Sequence, residues 1–411
     1  MEQVKYLIIG GGIAGTNAAE MIRRLDPSGS ILIVTEEKDL LYSRVMLPDF
    51  LRDEVPYEKI FLRKAQDYQK NQIGLKLNEP VSKVNAKEKK ITLASGEEIE
   101  AEKILVASGG KVNKLKNPGS DLAGVSYLRT TEDAQQAKDW LRTSQEAVVV
   151  GGGFIGIEFA KTFRQHNLQT KALIMEKYFW EAVVGENSGK LLTELLQENG
   201  IEVVAGVQVG QFIGQNRLEK VKLNNNQEIP AQIAGVGIGI HLDLDHLQDS
   251  GLKINKGVVT DQYLQTSAPD IWAAGDIAEF YDPIFDKYHT LGNWTNSSAQ
   301  GRVVGANMVG QKQVFETLST YSIDVFGSSF TFLGDPAVDE QTEVVERGSL
   351  TDKKLGRILL RNDVVVGASL INLNHDRAAL NKLIKEKTKV ATSKEQLKDP
   401  KFDLLSLLNT L

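Results

Sequence analysis

The stretch that most limits how this chain can fold is Gly10-Gly11-Gly12-Ile13-Ala14-Gly15 together with its flanks. Val4 to Ile9 is an apolar run, broken only by Lys5, of the kind that forms a buried strand in a parallel sheet. It leads straight into Gly10-x-Gly12-x-x-Gly15, after which Ala14 to Leu25 has helical composition. In such a strand, turn and helix, Gly10 permits the tight turn, Gly12 lets the backbone come close to a pyrophosphate, and Gly15 lets helix and strand pack closely. The phosphate rests on the open N–H groups and positive dipole of the helix N-terminus. A second apolar run, Ile31 to Val34, ends in Thr35-Glu36, placing a carboxylate 21 residues past Gly15. At that distance an acid accepts hydrogen bonds from an adenosine ribose, so the opening of the chain reads as a dinucleotide cradle.

The pattern recurs. Ala147 to Val150 is another buried-strand run, followed by Gly151-Gly152-Gly153-Phe154-Ile155-Gly156, a helix through about Gln165, and Leu173-Ile174-Met175-Glu176 with its acid 20 residues past Gly156. A lone glycine pattern is weak, but each copy has a strand before it, a helix after it and an acid at the right distance. Two cradles in one chain imply two dinucleotides.

A length of 411 residues allows two or three domains, since single cores rarely grow past ~250 to 300 residues. The net charge of −6 argues against a nucleic-acid binder, which would carry a clustered basic excess. No apolar run approaches the ~18 residues of a membrane helix, and a strand starting near Val4 leaves no room for a targeting peptide, so a cytoplasmic protein is expected. The chain has no cysteine, which excludes disulfides, thiolate metal sites, iron–sulfur clusters of its own and a catalytic thiol. With five scattered histidines (His166, His241, His246, His289, His375), no metal site is expected either.

Between the cradles, the polar segment Leu51 to Asn71 reads as partly helical. Val81 to Val84 and Ile91 to Leu93 read as antiparallel pieces around a solvated tip at Lys87-Glu88-Lys89-Lys90, and Glu102 to Ala107 as a strand ending in Ser108-Gly109-Gly110. Asn113 to Ser120 looks like a domain crossing, and a second crossing falls near Ala234 to Gly239. Ser188 to Asn199 has the spacing of an amphipathic helix, Ile201 to Val204 that of a strand, and Asn224-Asn225-Asn226 reads as a hairpin tip. Ser322 to Leu333 and Arg357 to Ile371 look like antiparallel strands and Asp376 to Lys389 like a charged helix. The expected fold class is α/β: two Rossmann-like dinucleotide-binding domains, at 1–113 with 236–313 and at 114–235, plus a small C-terminal α+β domain at 314–411.

With these residues in view, the chain resembles the FAD-dependent pyridine nucleotide-disulfide oxidoreductase superfamily. Within it, the chain is most like the cysteine-free branch of NADH-dependent rubredoxin and ferredoxin reductases, and it is also similar to the flavoprotein part of NADH-dependent nitrite reductase. The resemblance covers nearly the whole chain in order and implies the glutathione-reductase-type arrangement, FAD in the first cradle and NAD(P)H in the second. It implies Glu36 as the ribose acid and Leu40-x-Tyr42-Ser43-Arg44-Val45-Met46-Leu47 as the segment beside the flavin, with Arg44 at the family's arginine. It further implies Val81 as the residue whose backbone meets adenine, and Ile104 to Gly109, with Ala107 and Gly109, as the strand ending in the family's Ala-Thr-Gly. Thr266 to Asp276 carries the strongest match. There Gly275 precedes Asp276, which would accept a hydrogen bond from the flavin's ribityl chain. Asn293-Trp294 with Ala299-Gln300-Gly301 resembles the helix approaching the isoalloxazine, with Trp294 flanking the ring, and Gly237-Ile238-Gly239 the return strand near the nicotinamide.

Glu176 in the second cradle would accept bonds from a 2′-hydroxyl and repel a 2′-phosphate, and the single neighbouring Lys177 does not make a phosphate pocket, so NADH is expected over NADPH. Two departures stand out. The absence of cysteine removes the thiol chemistry of the disulfide reductases. Related ferredoxin-type reductases often carry a lysine just past the Arg44 segment, pairing with the glutamate here at Glu158, where this chain has Asp49. Either Asp49 and Glu158 both approach the flavin, where two carboxylates would repel and one pKa would rise, or Asp49 points to solvent. The resemblance implies hydride transfer from NADH to the flavin and onward electron transfer, with Glu158, Trp294 and Asp49 as the candidate reactive-site residues. Three destinations compete: a small rubredoxin- or ferredoxin-type carrier protein, oxygen or a quinone, and an NADH-sensing role exercised through partner binding. A monomer or homodimer is compatible with each. A carrier would call for a basic docking patch, which Arg377, Lys382, Lys385, Lys387 and Lys389 could supply if they are more than a solvated helix face. The stretch Phe402 to Leu408 has the spacing of a short helix able to pack on the protein itself, on a partner or on a membrane surface.

Overall fold

The computed structural model describes residues 2–409, and the chain sorts into two compact units. One comprises the residues up to Val45, Pro56–Lys111 and Ile240–Thr317. The other comprises Met46–Val55, Val112–Gly239 and the residues from Leu318 onward. Among the described residues no helix is long and apolar enough to cross a membrane.

In the first unit the opening run forms the strand Glu2–Ile9, paired in parallel with Ile31–Val34 on one side and Glu98–Val106 on the other. Ile73–Lys76 and Ile271–Ala273 extend the sheet, also in parallel. Alternate residues face opposite sides, and both sides are covered. Tyr6, Ile8, Ile33 and Leu105 pack against the helices Ile13–Leu25 and Trp294–Met308, through Ala14, Ala18, Val304 and Met308. Leu7, Ile9, Val34 and Ile104 pack against Val84, Ile91 and Leu93 of an antiparallel meander, Val81–Asn85 and Lys90–Leu93, joined to the near half of Glu98–Val106. This two-sided burial is why the strands read as runs rather than as alternations. The two helices lie close because Gly301 and Gly305 have no side chains: a Cβ there would fall 2.3 Å from the carbonyl oxygen of Ala14 and 2.6 Å from that of Ala18. The contact fixes the helix that begins at Trp294 against the helix that follows the first glycine turn.

The second unit repeats the plan with a five-stranded parallel sheet in the order Ile201–Val204, Gln169–Leu173, Glu146–Val150, Ile233–Val236, Val125–Ser126. The helices Thr131–Leu141, Phe154–Gln165 and Glu186–Glu198 accompany it, with a three-stranded antiparallel sheet whose tip at Asn224 to Asn226 uses a left-handed Asn226. The C-terminal part is a five-stranded antiparallel sheet in the order Thr320–Val325, Ser328–Gly334, Val364–Ile371, Lys354–Arg361, Glu343–Ser349. The apolar stretches 322–333 and 357–371 are each a hairpin. The second turns on Asn362 and Asp363, both at positive φ, as a two-residue hairpin turn requires. The charged stretch 376–389 is helical only over Arg377–Lys385, and Lys387 takes a left-handed conformation just beyond it.

Arg347, fully buried, explains why the tail folds back. Its Nε and Nη2 donate to Asp376 at 2.7 and 3.0 Å, and further donors reach the carbonyls of Leu397 at 3.1 Å and Phe402 at 2.9 Å. The final turn, Leu404–Asn409, is a 3₁₀ helix that buries Leu404 and Leu407, so the tail packs on the protein itself.

Candidate functional site

The first glycine turn is closed by its own chain at both ends and open in the middle. Gly10 has φ +108°, and a Cβ there would sit 2.2 Å from the oxygen of Ala107. One on Gly15 would sit 2.0 Å from the oxygen of Gly10, whereas nothing lies within 4 Å of the Cβ position of Gly12. Ala107 N donates to Ile9 O at 2.8 Å and Ala274 N to Val106 O at 3.0 Å, so the ends of three parallel strands meet at this turn. Gly109 follows at φ +72° and Gly275 at φ +83°, the latter's Cβ position 3.3 Å from Ala14 Cβ. Gly275 N donates to the buried side chain of Gln300 at 2.7 Å, and Ser297 Oγ donates to Asp276 Oδ1 at 3.4 Å. Asn293 caps the helix by accepting from Asn296 N at 2.8 Å, which sets Trp294 as its first residue. The residues Gly10, Gly12, Gly15, Ala107, Gly109, Gly275 and Asp276, scattered in sequence, thus come together at one end of the first sheet, next to the helix that Trp294 opens.

Glu36 lies just past the strand Ile31–Val34, with Lys111 Nζ 3.4 Å away. That ammonium is also 2.6 Å from Asp243, which falls below the usual carboxylate pKa chiefly through the Lys111 hydrogen bond. Arg44 does not stand alone. It pairs with Glu37, donates to Tyr42 Oη at 2.7 Å and stacks on the Tyr42 ring, while Tyr42 Oη donates to Glu37 at 2.6 Å. Burial works against its charge, but Glu37, Tyr42 and Asp276 outweigh that and raise its pKa. Val81 opens the strand Val81–Asn85, opposite Leu93.

The second turn has the same construction. Gly151 has φ +103° and its Cβ position is 2.4 Å from the oxygen of Gly237. That of Gly156 is 2.1 Å from the oxygen of Gly151, and that of Gly153 meets only Gly237 O at 3.7 Å. Gly237 comes so near the helix that its own Cβ position is 2.7 Å from Gly156 N. Glu176 turns a carboxylate oxygen to 3.8 Å from the Cβ position of Gly152, beside the turn. Lys177 is engaged elsewhere, 3.2 Å from Glu186 and over the Tyr178 ring. Both turns set glycines where backbone meets backbone, with open space at Gly12 and only an ordinary contact at Gly153.

Asp49 and Glu158 are joined by a cation that neither sequence alternative included. Arg52, one helical turn after Asp49, stands between them: Nη1 is 2.5 Å from Glu158, Nη2 2.5 Å from Asp49 and Nε 3.1 Å from Glu54. Lys161 adds a second cation 3.6 Å from Glu158. The carboxylates share a guanidinium instead of repelling, and Asp49 is not simply turned to solvent. Burial opposes the Arg52 charge, yet Glu158 and Glu54 raise its pKa. Sequence reasoning missed Arg52, although its spacing from Asp49 was a usable signal. It also missed Glu37 and Lys111, which carry no motif.

The chain is similar to known proteins along nearly its whole length. A family model described as pyridine nucleotide-disulphide oxidoreductase matches residues 4–301, and one described as reductase C-terminal matches residues 323–408. The chain is 28% identical to the biphenyl dioxygenase system ferredoxin–NAD(+) reductase component of Paraburkholderia xenovorans, over 98% of this chain and 97% of that protein. It is 29% identical to the NADH-rubredoxin oxidoreductase of Clostridium acetobutylicum, over 90% of this chain and 91% of that protein. Among solved structures, the ferredoxin reductase for the CYP199A2 system from Rhodopseudomonas palustris superposes with a TM-score of 0.89 at 25% identity, covering 99% of each chain.

Proposed function

The chain belongs to the pyridine nucleotide-disulphide oxidoreductase family, which implies FAD and a nicotinamide coenzyme, and from that premise we propose that it oxidises NADH and passes the electrons to a small carrier protein of the rubredoxin or ferredoxin kind. Bound FAD would supply the chemistry, taking two electrons from NADH together and releasing them one at a time to two molecules of a one-electron carrier. The observation that carries the reading is the pair of glycine turns, each open only at its middle glycine, in a chain with no cysteine to relay electrons through a thiol.

The residues divide the work accordingly. Gly12 and the helix after it would receive the FAD pyrophosphate, Glu36 with Lys111 the adenosine ribose, and Val81 the adenine. Arg44, held by Glu37 and Tyr42, would set a fixed positive charge beside the flavin. Asp276, oriented by Ser297, would accept from the ribityl chain, and Trp294 would flank the ring. Gly153 and Glu176 would hold the NADH pyrophosphate and ribose, with Gly237 near the nicotinamide. Glu158, fixed by Arg52 together with Asp49, would present a carboxylate whose orientation does not drift. The domain division 1–113 with 236–313, 114–235 and 314–411 assigns these roles to a flavin-binding, a coenzyme-binding and a C-terminal part.

NADH is proposed over NADPH because Glu176 lies beside the second turn and the neighbouring Lys177 pairs with Glu186. The names of the relatives, NAD(+) reductases acting on ferredoxin or rubredoxin, support the same choice and the carrier class. The test is anaerobic reduction of the purified protein by NADH, then reoxidation by rubredoxin, ferredoxin, menadione or oxygen in turn. Fast reoxidation by a carrier protein with slow reaction with oxygen is expected. Protein that has no flavin absorbance and takes up no FAD would end the proposal.

A further inference from the structure

The segment Met46–Val55 belongs to the second unit, although the chain on both sides of it belongs to the first. Its helix, Leu47–Leu51, is five residues long, and a helix that short leaves the carbonyls at its end to be met from outside. Side chains from two other helices of the unit meet three in succession. Lys138, in Thr131–Leu141, donates to Phe50 O at 2.7 Å. His166, at the end of Phe154–Gln165, sets Nε2 2.8 Å from Leu51 O, and Gln165 donates to Arg52 O at 3.0 Å.

Lys138 is the unusual member of the three. It is only 9% exposed, with Nζ 2.6 Å from Asp53 Oδ1 and 3.9 Å from the centroid of the Phe50 ring. Asp53 stands at φ +61°, a conformation that aspartate adopts more readily than most residues, so the chain turns away directly after Arg52. Burying an ammonium is costly even when it is paired, and an apolar side chain would fill the same volume without that cost. What the ammonium adds is direction: a carbonyl, a carboxylate and a ring face converge on it and fix where the end of the helix lies.

Arg52 sits at that end. Its guanidinium reaches three carboxylates, Asp49 and Glu54 on its own segment and Glu158 on Phe154–Gln165. Two of the three travel with Arg52, so they stay within its reach however the segment lies. Only the contact with Glu158 depends on where the end of the helix is held.

We propose that Lys138 and Gln165 are positioning residues, which anchor the end of the helix Leu47–Leu51 and thereby keep the Arg52 guanidinium on Glu158. The inference rests on Glu158 acting beside the coenzyme of the second cradle. His166 completes the anchorage at the carbonyl between them.

The experiment is a double-mutant cycle on the FAD-loaded protein, with Lys138→Met and Glu158→Gln made singly and together. Reduction of the flavin by NADH is followed anaerobically in stopped flow, below the melting temperature of every variant. Lys138→Met should slow reduction at saturating NADH about 3- to 10-fold, the size of one misplaced hydrogen bond, with flavin content unchanged. In the Glu158→Gln background the same substitution should change the rate by less than about 2-fold. Gln165→Leu, at an exposed position, should show the same dependence on Glu158 at smaller size, and it decides the matter if Lys138→Met does not fold. Equal losses in both backgrounds would overturn the proposal, because the anchors would then act independently of Glu158. Wild-type rates in both Lys138→Met and Gln165→Leu would overturn it as well. A Glu158→Gln variant reduced as fast as the wild type would remove the premise about Glu158, whereas a wild-type protein that holds no flavin would end the functional reading itself.

Discussion

Arg52 donates from Nη1 to Glu158 at 2.5 Å, with both side chains largely shielded from water. Its Nη2 holds Asp49 in the same way. Removing the guanidinium leaves Glu158 facing only Lys161, 3.6 Å away, and leaves Asp49 unpaired. Breaking a buried pair by deleting one partner is more damaging than replacing both, because the survivor keeps its desolvation cost. Arg52→Met should therefore lower stability by about 2 to 4 kcal/mol, read as a shift in the urea midpoint. Arg52→Lys should recover part of that. A variant as stable as the wild type would show that Glu158 is adequately held by Lys161 alone.

The glycines of the first turn separate folding from binding. Gly12 has φ −70° and open space around its Cβ position, so Gly12→Ala should leave the apoprotein's urea midpoint near the wild-type value while greatly weakening FAD uptake. Gly15→Ala would drive a methyl to 2.0 Å from the oxygen of Gly10, a backbone atom that cannot step aside, and should reduce soluble expression and apoprotein stability together. Equal effects in the two variants, measured by apoprotein unfolding and by flavin titration, would refute the division.

Much of this was readable from the sequence because local chemistry encodes it. The strand, turn and helix around Gly10 and Gly151 need only short-range patterning, and the two glycine turns form where they were placed. Gly301 and Gly305 show a different kind of legibility: glycines four residues apart on a helix signal a close partner, but the partner, Ala14 and Ala18, lies almost 300 residues away. What escaped was pairing across such distances without a motif. Nothing about Tyr321 or Phe332 in sequence points to Phe154, whose ring meets both, since cross-chain contacts depend on how the C-terminal sheet packs. The end of the charged helix at Lys385 was hidden for the opposite reason, because its composition remains helical beyond the residue where the backbone turns left-handed.

Asp26 predicts the acid limb of the stability curve. It accepts from Lys5 Nζ at 2.8 Å, from Gly29 N at 2.9 Å and from Tyr6 Oη at 2.9 Å, tying the first strand to the loop that leads into Ile31–Val34. The Lys5 hydrogen bond is the largest influence, followed by the Gly29 amide and Tyr6, and together they hold its carboxyl well below the usual carboxylate range. A carboxyl depressed in the folded state contributes stability that is present above its unfolded pKa, near 3.8, and is lost as pH falls below it toward the folded value. Asp26→Asn should therefore lower the urea midpoint at pH 7 and flatten its dependence between about pH 4 and 2. Parallel curves for variant and wild type across that interval would contradict the assignment.

Coenzyme choice gives the sharpest functional test, because it turns on one carboxylate and one lysine. Glu176 sits beside the second turn, and Lys177, which could have met a 2′-phosphate, is occupied by Glu186. A dianionic phosphate brought near Glu176 meets like charge in a partly desolvated setting, whereas a 2′-hydroxyl gains a charge-assisted hydrogen bond. The expected kcat/KM for NADH exceeds that for NADPH by about 10- to 100-fold, corresponding to roughly 1.4 to 2.7 kcal/mol. Glu176→Gln should narrow the gap mainly by losing NADH activity, since the amide removes the repulsion but brings no cation. Glu176→Arg should go further and favour NADPH, because a guanidinium can hold the phosphate in bidentate fashion. Both effects should appear in KM more than in kcat, as the ribose lies far from the reacting ring. A wild-type protein that uses NADPH equally well would mean that Glu176 does not face the ribose, whatever the spacing from Gly156 suggests.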